Sequence, residues 1–378
     1  MKILIISHKN IFNPLDGGSL ASKKIYLDLK KEYLTDVICL NNKNINSHEK
    51  TVLKVNTSFN LKKLIHSFIS NKSYQAERFF SKKICNKIIK IINTEKYDHI
   101  LFEGVFPAVY LEPIKKKCNC KMIIRTHNIE HEIWKNLQNN TSNLFKKSIY
   151  IFIKRQIKKW EEYICKKADF ICCISKSDIP YFSKKINKNV KLLPVSFLIK
   201  KKKKNTDFSI FHLGSMDWEP NIEGVNWFIN NVWRKFEKNN FSIYCYLAGK
   251  NMPNNIKNKS TRKLIIEGTI ENATNYMYNK SVMIVPIFSG SGIRIKILEG
   301  MALGIPIIST SKGAQGIPYT NGKNILIADN ALSFYNVIKK IYSEPILFKK
   351  ISEGGRDLIQ KEFSSEIVIK KWNNLINS

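Results

Sequence analysis

The sequence of 378 residues contains few acidic residues and lacks the long hydrophobic runs of membrane-spanning or exported chains. Its 30 Asp and Glu face 63 Lys and Arg, which gives a formal net charge of +33 at pH 7. No uninterrupted apolar run approaches the roughly 20 residues that a membrane-spanning helix needs. The N-terminal stretch MKILIISHKN holds an apolar run too short for a signal peptide and typical of a buried first strand. We therefore expect a cytoplasmic protein.

The eight cysteines include no Cys-x-x-Cys pair. Cys118 and Cys120 form a Cys-x-Cys, and Cys172 and Cys173 are adjacent. Because the paired spacing is missing, the pattern does not predict a zinc knuckle or a thiol redox motif. We expect buried free thiols, since a free cysteine behaves as a small hydrophobic side chain.

The excess positive charge predicts attraction to polyanions such as nucleic acid, anionic lipid or phosphorylated substrates. Nearly all of it comes from lysines spread along the chain, a pattern that a biased coding composition also produces. The sequence shows no helix-turn-helix, zinc-finger or RNA-recognition motif. We expect no nucleic-acid partner, and nucleic-acid binding with a steep salt dependence stays as an alternative.

The sequence does contain a regular alternation of short β-rich runs and longer amphipathic segments. Strands that read as continuous apolar runs between helical patterns are typical of parallel sheets covered on both faces. Two such series predict an α/β protein with two doubly wound, Rossmann-like domains. The expected strands are Lys2–Ile6, Asp36–Leu40, His99–Phe102, Lys121–Arg125, Phe170–Ile174 and Val190–Leu193 in the first series, and Ser209–Leu213, Ile243–Leu247, Lys263–Ile266, Val282–Val285, Ile305–Ile308 and Asn324–Ile327 in the second.

Five consecutive lysines, Lys200–Lys204, separate the two series. Such a run repels itself and cannot pack, so residues 200–206 are predicted to form an exposed linker. The first domain then covers residues 1–199 and the second covers residues 207–355. Residues 356–378 have roughly helical apolar spacing and are predicted to form a closing amphipathic helix that packs back on the first domain.

The segment Leu144–Lys167 combines lysines with large apolar and aromatic residues. One interpretation is a helix packed on the first sheet with its lysines in water. The other is a helix face that rests on an anionic membrane surface, since basic amphipathic helices with aromatic residues bind there. The two interpretations are compatible, and both stay open.

A glycine-broken segment lies between the predicted strand Val282–Val285 and the following helix. Gly290 and Gly292 allow the backbone to approach a ligand closely, and the helix start offers unpaired N–H groups to an anion. Arg294 and Lys296 add positive charge beside these amides, which suits a diphosphate. In α/β sheets the ligand lies at the carboxyl ends of the strands, so this segment is the predicted binding site.

Glu299 is a carboxylate on the same predicted helix, which is otherwise apolar on almost every side. A buried carboxylate costs several kcal/mol, on the order of 3 or more, unless it is hydrogen-bonded or paired. Lys296, three residues earlier, can pair with it. The alternative is that Glu299 accepts hydrogen bonds from two ribose hydroxyls, and the neighbouring phosphate site favours this second role.

The segment GSGIRIKILEGMALGIPIISTSKGAQGI, which starts at Gly290, resembles the nucleotide-sugar site of family 4 glycosyltransferases (glycosyl transferases group 1). These enzymes have the GT-B architecture of two Rossmann-like domains that face each other across a cleft. Five further segments agree in order and position, so the resemblance spans essentially the whole chain. They are DGGS at Asp16–Ser19, RTHNIEHEIW at Arg125–Trp134, ADFICCISKSD at Ala168–Asp178, FHLGSMDWEPN at Phe211–Asn221 and NGKNILIAD at Asn321–Asp329.

The resemblance implies roles for the matching residues. Glu299 corresponds to the second glutamate of the family's E-x7-E motif, which binds the donor ribose. Ser291 stands where the first glutamate, which usually contacts the donor sugar, is expected, so its backbone N–H and that of Gly292 are assigned part of that role. Gly17 and Gly18 match the glycine loop that closes on the phosphates across the cleft.

His127 matches the histidine that faces the donor sugar in similar enzymes. Many members also place an Arg and a Lys just after the first strand of the second domain to bind the diphosphate. This chain has SMDWEPN there, so that role is assigned to Arg294 and Lys296. The implied catalytic residues are His127, Arg294 and Lys296, and the implied donor-binding residues are Gly17, Gly18, Gly214, Gly290, Ser291, Gly292, Ile293 and Glu299.

His127 and His131 are four residues apart, as in the HExxH motif of zinc proteases, but Asn128 stands where that motif has glutamate. No metal site is therefore expected. The acceptor-side candidates are Glu103, Asn128 and Glu130. The alternatives are a solvated loop acid for Glu103 and an ordinary acid at a helix N-terminus for Glu130.

The resemblance implies a retaining glycosyltransferase that moves a sugar from a nucleotide-diphosphate sugar to a hydroxyl of a glycan acceptor. A helix N-terminus and two cations can stabilise the departing diphosphate, so no metal cofactor is expected. The basic helix of the first domain points to a lipid-linked glycan, and to lipopolysaccharide or capsule synthesis at the inner face of the cytoplasmic membrane. The remaining alternatives are a GT-B sugar-nucleotide epimerase and a catalytically silent scaffold.

Overall fold

The computed structural model describes residues 1–14, 16–41, 52–69, 72–186, 189–200, 208–239 and 241–377. The chain divides into two compact units. Unit 1 comprises Met1–Ser196 and Ser365–Ser378, and unit 2 comprises Phe197–Ser364. Within the described residues, no helix combines the length and the apolar character that crossing a bilayer requires.

Each unit is built on one parallel sheet. The sheet of unit 1 has the strand order β3-β2-β1-β4-β5-β6-β7, and that of unit 2 has the order β10-β9-β8-β11-β12-β13. The strands are β1 Lys2–Ser7, β2 Leu34–Asn41, β3 Val52–Lys54, β4 His99–Glu103, β5 Lys121–Thr126, β6 Phe170–Cys173, β7 Val190–Leu192, β8 Ser209–Leu213, β9 Tyr244–Ala248, β10 Leu264–Ile266, β11 Val282–Val285, β12 Ile307–Ser309 and β13 Leu326–Ile327. The two doubly wound sheets confirm the predicted fold class.

Helices connect the strands. They are α1 Gly17–Leu29, α2 Leu61–Ile69, α3 Tyr74–Glu77, α4 Lys82–Glu95, α5 Leu111–Lys115, α6 Glu130–Asn140, α7 Leu144–Lys167, α8 Ile179–Lys185, α9 Glu219–Phe228, α10 Arg234–Lys238, α11 Asn254–Lys257, α12 Ala273–Tyr278, α13 Ile295–Ala302, α14 Ala331–Ser343, α15 Pro345–Glu362 and α16 Ser365–Ile376. Short 3₁₀ turns cover Pro107–Tyr110 and Lys176–Asp178, and a π-helical turn, Ile229–Trp233, joins α9 to α10.

The first strand shows why these sequences form central parallel strands. Leu4 and Ile6 belong to one buried cluster of unit 1, and Ile3 and Ile5 belong to another. Because successive side chains of a strand point to opposite faces, both faces of the sheet carry a hydrophobic core. A strand covered on both faces is selected to be apolar at every position, which is the pattern read from the sequence.

The C-terminal segment differs from the expected helix over residues 356–378. Helix α15 continues to Glu362 within unit 2, where Ile351 and Ile359 are buried. Helix α16 begins at Ser365 and belongs to unit 1, where Val368 and Trp372 join the same buried cluster as Ile3 and Ile5. The apolar spacing is helical on both sides of residues 363–364, so the sequence pattern did not reveal the break.

The remaining sequence expectations concern the linker, the strands, one helix and the cysteines. The expected linker, residues 200–206, lies outside the described residues except for Lys200. Strand β3, only three residues long, was not predicted, whereas α7 covers the predicted segment Leu144–Lys167. All eight cysteines are free, and six of them are buried; Cys118 and Cys120 are partly exposed.

Candidate active site

The centre of the sheet in unit 2 places the predicted glycine segment at a strand end. Strands β8 and β11 are neighbours, and the sheet extends from them in opposite directions through β9 and β12. In such sheets the crevice at the carboxyl ends of the two central strands is the usual ligand site. The loop after β11, residues 286–294, leads from this edge into α13, so the predicted order of strand, turn and helix is present.

The two glycines of this loop adopt backbone conformations that favour glycine. Gly290 has φ 93° and Gly292 has φ 83°, both in the left-handed half of the map. A Cβ atom at Gly290 would lie 2.5 Å from a ring carbon of Trp218, well inside contact distance. The loop conformation therefore depends on glycine at Gly290 for both backbone and steric reasons.

Arg294 stabilises the conformation of this loop through hydrogen bonds to the loop's own backbone. Its Nη1 donates hydrogen bonds of 2.6 Å to the carbonyl oxygens of Ser291 and Gly292, and its guanidinium lies 4.6 Å from the ring centroid of Trp218. Burial lowers the pKa of Arg294 to about 10. We expected Arg294 to contact a diphosphate, but the structure directs its Nη1 into the loop's own carbonyl groups. Arg294 thus shapes the binding loop, and Trp218 is a part of it that the sequence did not indicate.

Lys296 and Glu299 form the ion pair that the sequence left open. Lys296 Nζ lies 2.9 Å from Glu299 Oε2, and the hydroxyl of Thr274 donates to Oε1 at 2.9 Å. The side chain of Lys296 is 38% exposed and that of Glu299 is 14% exposed, so both remain accessible to a ligand. Since each carboxylate oxygen has room for a second donor, the pair does not exclude hydrogen bonds from ribose hydroxyls.

The start of α13 supplies hydrogen-bond donors beside this pair. The first N–H groups of a helix have no intrahelical partner and attract anions. Ser291, which stands where the family has glutamate, has a buried hydroxyl with no hydrogen-bond partner among the described residues. Ile293, the residue after Gly292, is buried. The region therefore offers amides, a hydroxyl, one accessible ammonium and one carboxylate.

Gly214 follows β8 at the same edge of the sheet. A Cβ atom there would lie 2.6 Å from Asn221 Nδ2 and 2.9 Å from His212 Nε2, so only glycine fits without rearrangement. Asn221 in turn donates to the carbonyl oxygen of Ser215 at 2.7 Å, which closes the loop after β8. Gly214 is thus required for a tight strand-end turn beside the glycine loop.

In unit 1 the corresponding strand ends are those of β1 and β4, where the sheet order reverses. Gly17 is the first residue of α1, whose N-terminus is capped by Asp16. A Cβ atom at Gly18 would lie 2.7 Å from Lys9 Nζ and 3.4 Å from His127 Nδ1. Lys9, paired with Asp16 at 3.0 Å, is a cation of this region that the sequence analysis missed.

Glu103 is the centre of a buried polar cluster in unit 1. Its Oε2 accepts hydrogen bonds from Ser22 Oγ at 2.7 Å and Arg125 Nη1 at 3.1 Å, and lies 2.7 Å from His127 Nε2. Burial alone would raise the pKa of Glu103, but the Arg125 guanidinium and the hydrogen bonds outweigh it and lower this pKa to about 2. The interpretation of Glu103 as a solvated loop acid is wrong, because its side chain is fully buried.

Glu130, the first residue of α6, is not an ordinary helix-terminal acid. Burial, and the nearby carboxylate of Glu161, raise the pKa of Glu130 to about 7 although a hydrogen bond with Asn128 opposes the shift. His131 Nδ1 lies 2.7 Å from Glu161 Oε2. His127 and His131 therefore contact different acids, Glu103 and Glu161. Among the described residues, no group of three His, Cys, Asp or Glu side chains is placed to bind a metal ion.

Comparison with known proteins finds a family model that matches much of the second unit. Residues 207–344 match the sequence model of the family named Glycosyl transferases group 1. An uncharacterized 44.6 kDa protein in the cps region of Klebsiella pneumoniae is 26% identical over 302 residues, which are 75% of each chain.

Solved structures resemble the whole chain. Sucrose-phosphate synthase from Thermosynechococcus elongatus has a TM-score of 0.72 at 13% identity, covering 100% of this chain and 98% of that one. HepE from Anabaena in complex with UDP-glucose has a TM-score of 0.68 at 12% identity, covering 100% of both chains. The fold is therefore GT-B, as the resemblance implied.

Proposed function

We propose that this chain, a glycosyltransferase of GT-B fold whose second unit carries the group 1 family sequence, moves a sugar from a nucleotide-diphosphate sugar to a hydroxyl of a glycan acceptor. The observation that carries the proposal is the preformed loop at the end of β11. There, the first amides of α13, Lys296 and Glu299 lie within one short segment of chain.

The donor is assigned to this segment by its chemistry. The amides at the start of α13 and the ammonium of Lys296 suit a diphosphate, while Glu299 suits two ribose hydroxyls. Thr274 and Lys296 each donate to a different oxygen of Glu299 and so fix the plane of its carboxylate. HepE, which shares the fold, is known in complex with UDP-glucose, and this supports a nucleotide sugar as donor.

The reaction requires that the charge of the departing diphosphate be stabilised. A helix N-terminus carries a partial positive charge, and preorganised donors of this kind commonly supply a factor of about 10²–10³ in rate. With Lys296 beside these amides, the mechanism needs no metal ion. Retention of anomeric configuration is proposed from the family resemblance.

Unit 1 is proposed to bind the acceptor, which carries the hydroxyl that receives the sugar. Glu103 is an acceptor of three buried hydrogen bonds, so it is not free to exchange a proton with a substrate. Glu130, with a pKa near 7, is better suited to exchange a proton at neutral pH, and Asn128 hydrogen-bonds with it. We assign Glu130 and Asn128 to the acceptor side.

The acceptor is proposed to be a lipid-linked glycan for surface polysaccharide synthesis. The first turns of α7 expose Leu144 (78%) and Phe145 (76%) next to exposed Lys146 and Lys147. Exposed apolar and basic side chains together suit an anionic membrane surface. The Klebsiella relative in a cps region supports a role in polysaccharide synthesis.

A thermal-shift panel of UDP-, GDP-, ADP- and CMP-sugars, followed by transfer assays, tests the donor assignment. We expect one nucleotide to raise the melting temperature and to support transfer to a glycan. No shift with any nucleotide sugar would contradict the proposal. Conversion of the sugar without an acceptor would indicate the epimerase instead.

Flotation with liposomes tests the membrane assignment. We expect binding to vesicles with anionic lipid and weaker binding to neutral vesicles, because the lysines contribute about 1 kcal/mol each near an anionic surface. Replacement of Leu144 and Phe145 by Ser should reduce it. The matched control is Ile346→Ser, an apolar residue that is 86% exposed in unit 2. Equal flotation of the parent and the double variant would contradict this role.

A further inference from the structure

Three side chains of unit 1 meet one carboxylate oxygen of a fourth, Glu103, and donor binding by itself does not explain this cluster. Oε2 of Glu103 lies 2.7 Å from Ser22 Oγ, 3.1 Å from Arg125 Nη1 and 2.7 Å from His127 Nε2. Ser22, Glu103 and Arg125 are buried, whereas His127 is 9% exposed. His127 is therefore the member of this cluster that borders solvent.

The geometry decides which nitrogen of His127 carries the proton. Glu103 faces a buried guanidinium and is ionised, and an ionised carboxylate only accepts hydrogen bonds. The imidazole must therefore donate from Nε2. Its other nitrogen, Nδ1, points toward Gly18 and lies 3.4 Å from where a Cβ atom of that residue would be.

We propose that Glu103 is a positioning residue, which keeps the proton of His127 on Nε2 and leaves Nδ1 as a hydrogen-bond acceptor for the substrate. In the neutral imidazole, the ligand group that meets Nδ1 must then be a donor, and a sugar hydroxyl has the required chemistry. That last step rests on the proposed function, whereas the position of the proton does not.

Arg125 keeps Glu103 in place. Its Nε donates to the carbonyl oxygen of Leu193 at 3.0 Å and its Nη2 to that of Pro194 at 3.1 Å, while Nη1 contacts both oxygens of Glu103. Glu103 and Arg125 are also register partners on β4 and β5. The position of the Glu103 carboxylate is thus fixed by the sheet register and by the Arg125 guanidinium, which is itself hydrogen-bonded to the backbone.

His131 provides an internal comparison. It meets the buried Glu161 through Nδ1 at 2.7 Å, so the two histidines contact their acids with opposite nitrogens. A change at Glu103 should leave His131 as it is.

The test is a long-range ¹H–¹⁵N correlation spectrum of the ring nitrogens, recorded at pH 8 on the full chain without ligand. The His127 signals are identified by their loss in His127→Gln. We expect a proton on Nε2 of His127 in the parent. In Glu103→Gln the amide oxygen would take the place of Oε2, because Ser22, Arg125 and His127 all meet that atom, so this variant would keep the proton on Nε2. In Glu103→Leu no acceptor faces Nε2, so the tautomer with the proton on Nδ1 should become populated, with His131 unchanged.

Several results would overturn the proposal. They are a parent His127 protonated on Nδ1 or on both nitrogens, and a Glu103→Leu variant that keeps the proton entirely on Nε2. If Glu103→Leu does not fold, the spectrum of the parent alone decides.

Activity separates this proposal from the proposed function. Loss of a hydrogen bond to a charged group corresponds to a fall of about 10- to 100-fold in kcat/KM for Glu103→Leu. If the proton is on Nε2 and moves in the variant but the parent transfers no sugar, the positioning role stands and the proposed function fails. If the parent transfers sugar with the proton on Nδ1, the positioning role fails and the function stands.

Discussion

Replacing Arg294 and Lys296 one at a time by Ala should separate the shape of the binding loop from its charge. Both changes remove one positive charge from the same segment. Arg294 donates two hydrogen bonds of 2.6 Å to the loop's carbonyl oxygens and contacts the face of Trp218. Lys296 has a 38% exposed side chain and is paired with Glu299.

The structure gives a magnitude for each change. Hydrogen bonds from a charged group contribute about 1.5–3 kcal/mol each, and we take about 3 kcal/mol in total for Arg294 after the solvation of its guanidinium is offset. For a unit of this size, 1 kcal/mol lowers the melting temperature by about 2–4 °C. Arg294→Ala should therefore melt about 6–12 °C lower. An exposed ion pair contributes about 0–1 kcal/mol, so Lys296→Ala should melt within about 4 °C of the parent.

The assay is differential scanning fluorimetry with and without the best nucleotide sugar. Lys296→Ala should keep its melting temperature without ligand and lose most of the rise that the ligand causes. Lys349→Ala, which removes a 77% exposed lysine side chain of unit 2, is the control for net charge. If Arg294→Ala and Lys296→Ala melt together without ligand, the assignment of Arg294 to loop shape is refuted.

Three further predictions concern single residues. Gly290→Ala should abolish the ligand-induced rise in melting temperature, because a Cβ atom 2.5 Å from Trp218 forces the loop to move. Isothermal titration with the nucleotide measures the loss of affinity, and an unchanged affinity would contradict the prediction. The pKa of Glu103 is lowered to about 2, so the ionised carboxylate contributes roughly 3 kcal/mol to stability above about pH 4.5. This contribution is lost as the pH falls towards 2, and the urea midpoints of the parent and Glu103→Gln should converge over that range. The pKa of Glu130 is raised to about 7, so its effect has the opposite sign: stability falls as the pH rises from about 4.5 to 7, and Glu130→Gln should be more stable than the parent at pH 8 but not at pH 4.5.

The elements with continuous apolar runs were predictable from sequence, and their interactions only in part. All twelve predicted strands are present, because both faces of each sheet are covered. Among the described residues, the one strand that was not predicted is β3, Val52–Lys54, since three residues carry too little pattern. The glycine loop after β11 and the helix that follows it were also predicted, because glycines and charged residues inside an otherwise apolar segment are typical of a ligand-binding turn.

The roles of the polar side chains were harder to predict. Trp218 is 76 residues away from Arg294 in sequence, and no local pattern indicates that their side chains stack. The pairing of Glu103 with Arg125 depends on the register of β4 and β5, which the sequence does not give. A signal was present: the predicted strand His99–Phe102 ends just before Glu103, and the predicted strand Lys121–Arg125 ends at Arg125. Two opposite charges buried on adjacent parallel strands have to be paired with each other.

A crystal structure with the nucleotide sugar that gives the largest thermal shift tests the central assignment most directly. We expect the diphosphate within hydrogen-bond distance of the first amides of α13 and of Lys296 Nζ, with the ribose hydroxyls on Glu299. A well-ordered nucleotide bound away from Gly290–Glu299 would contradict the assignment of this segment as the donor site.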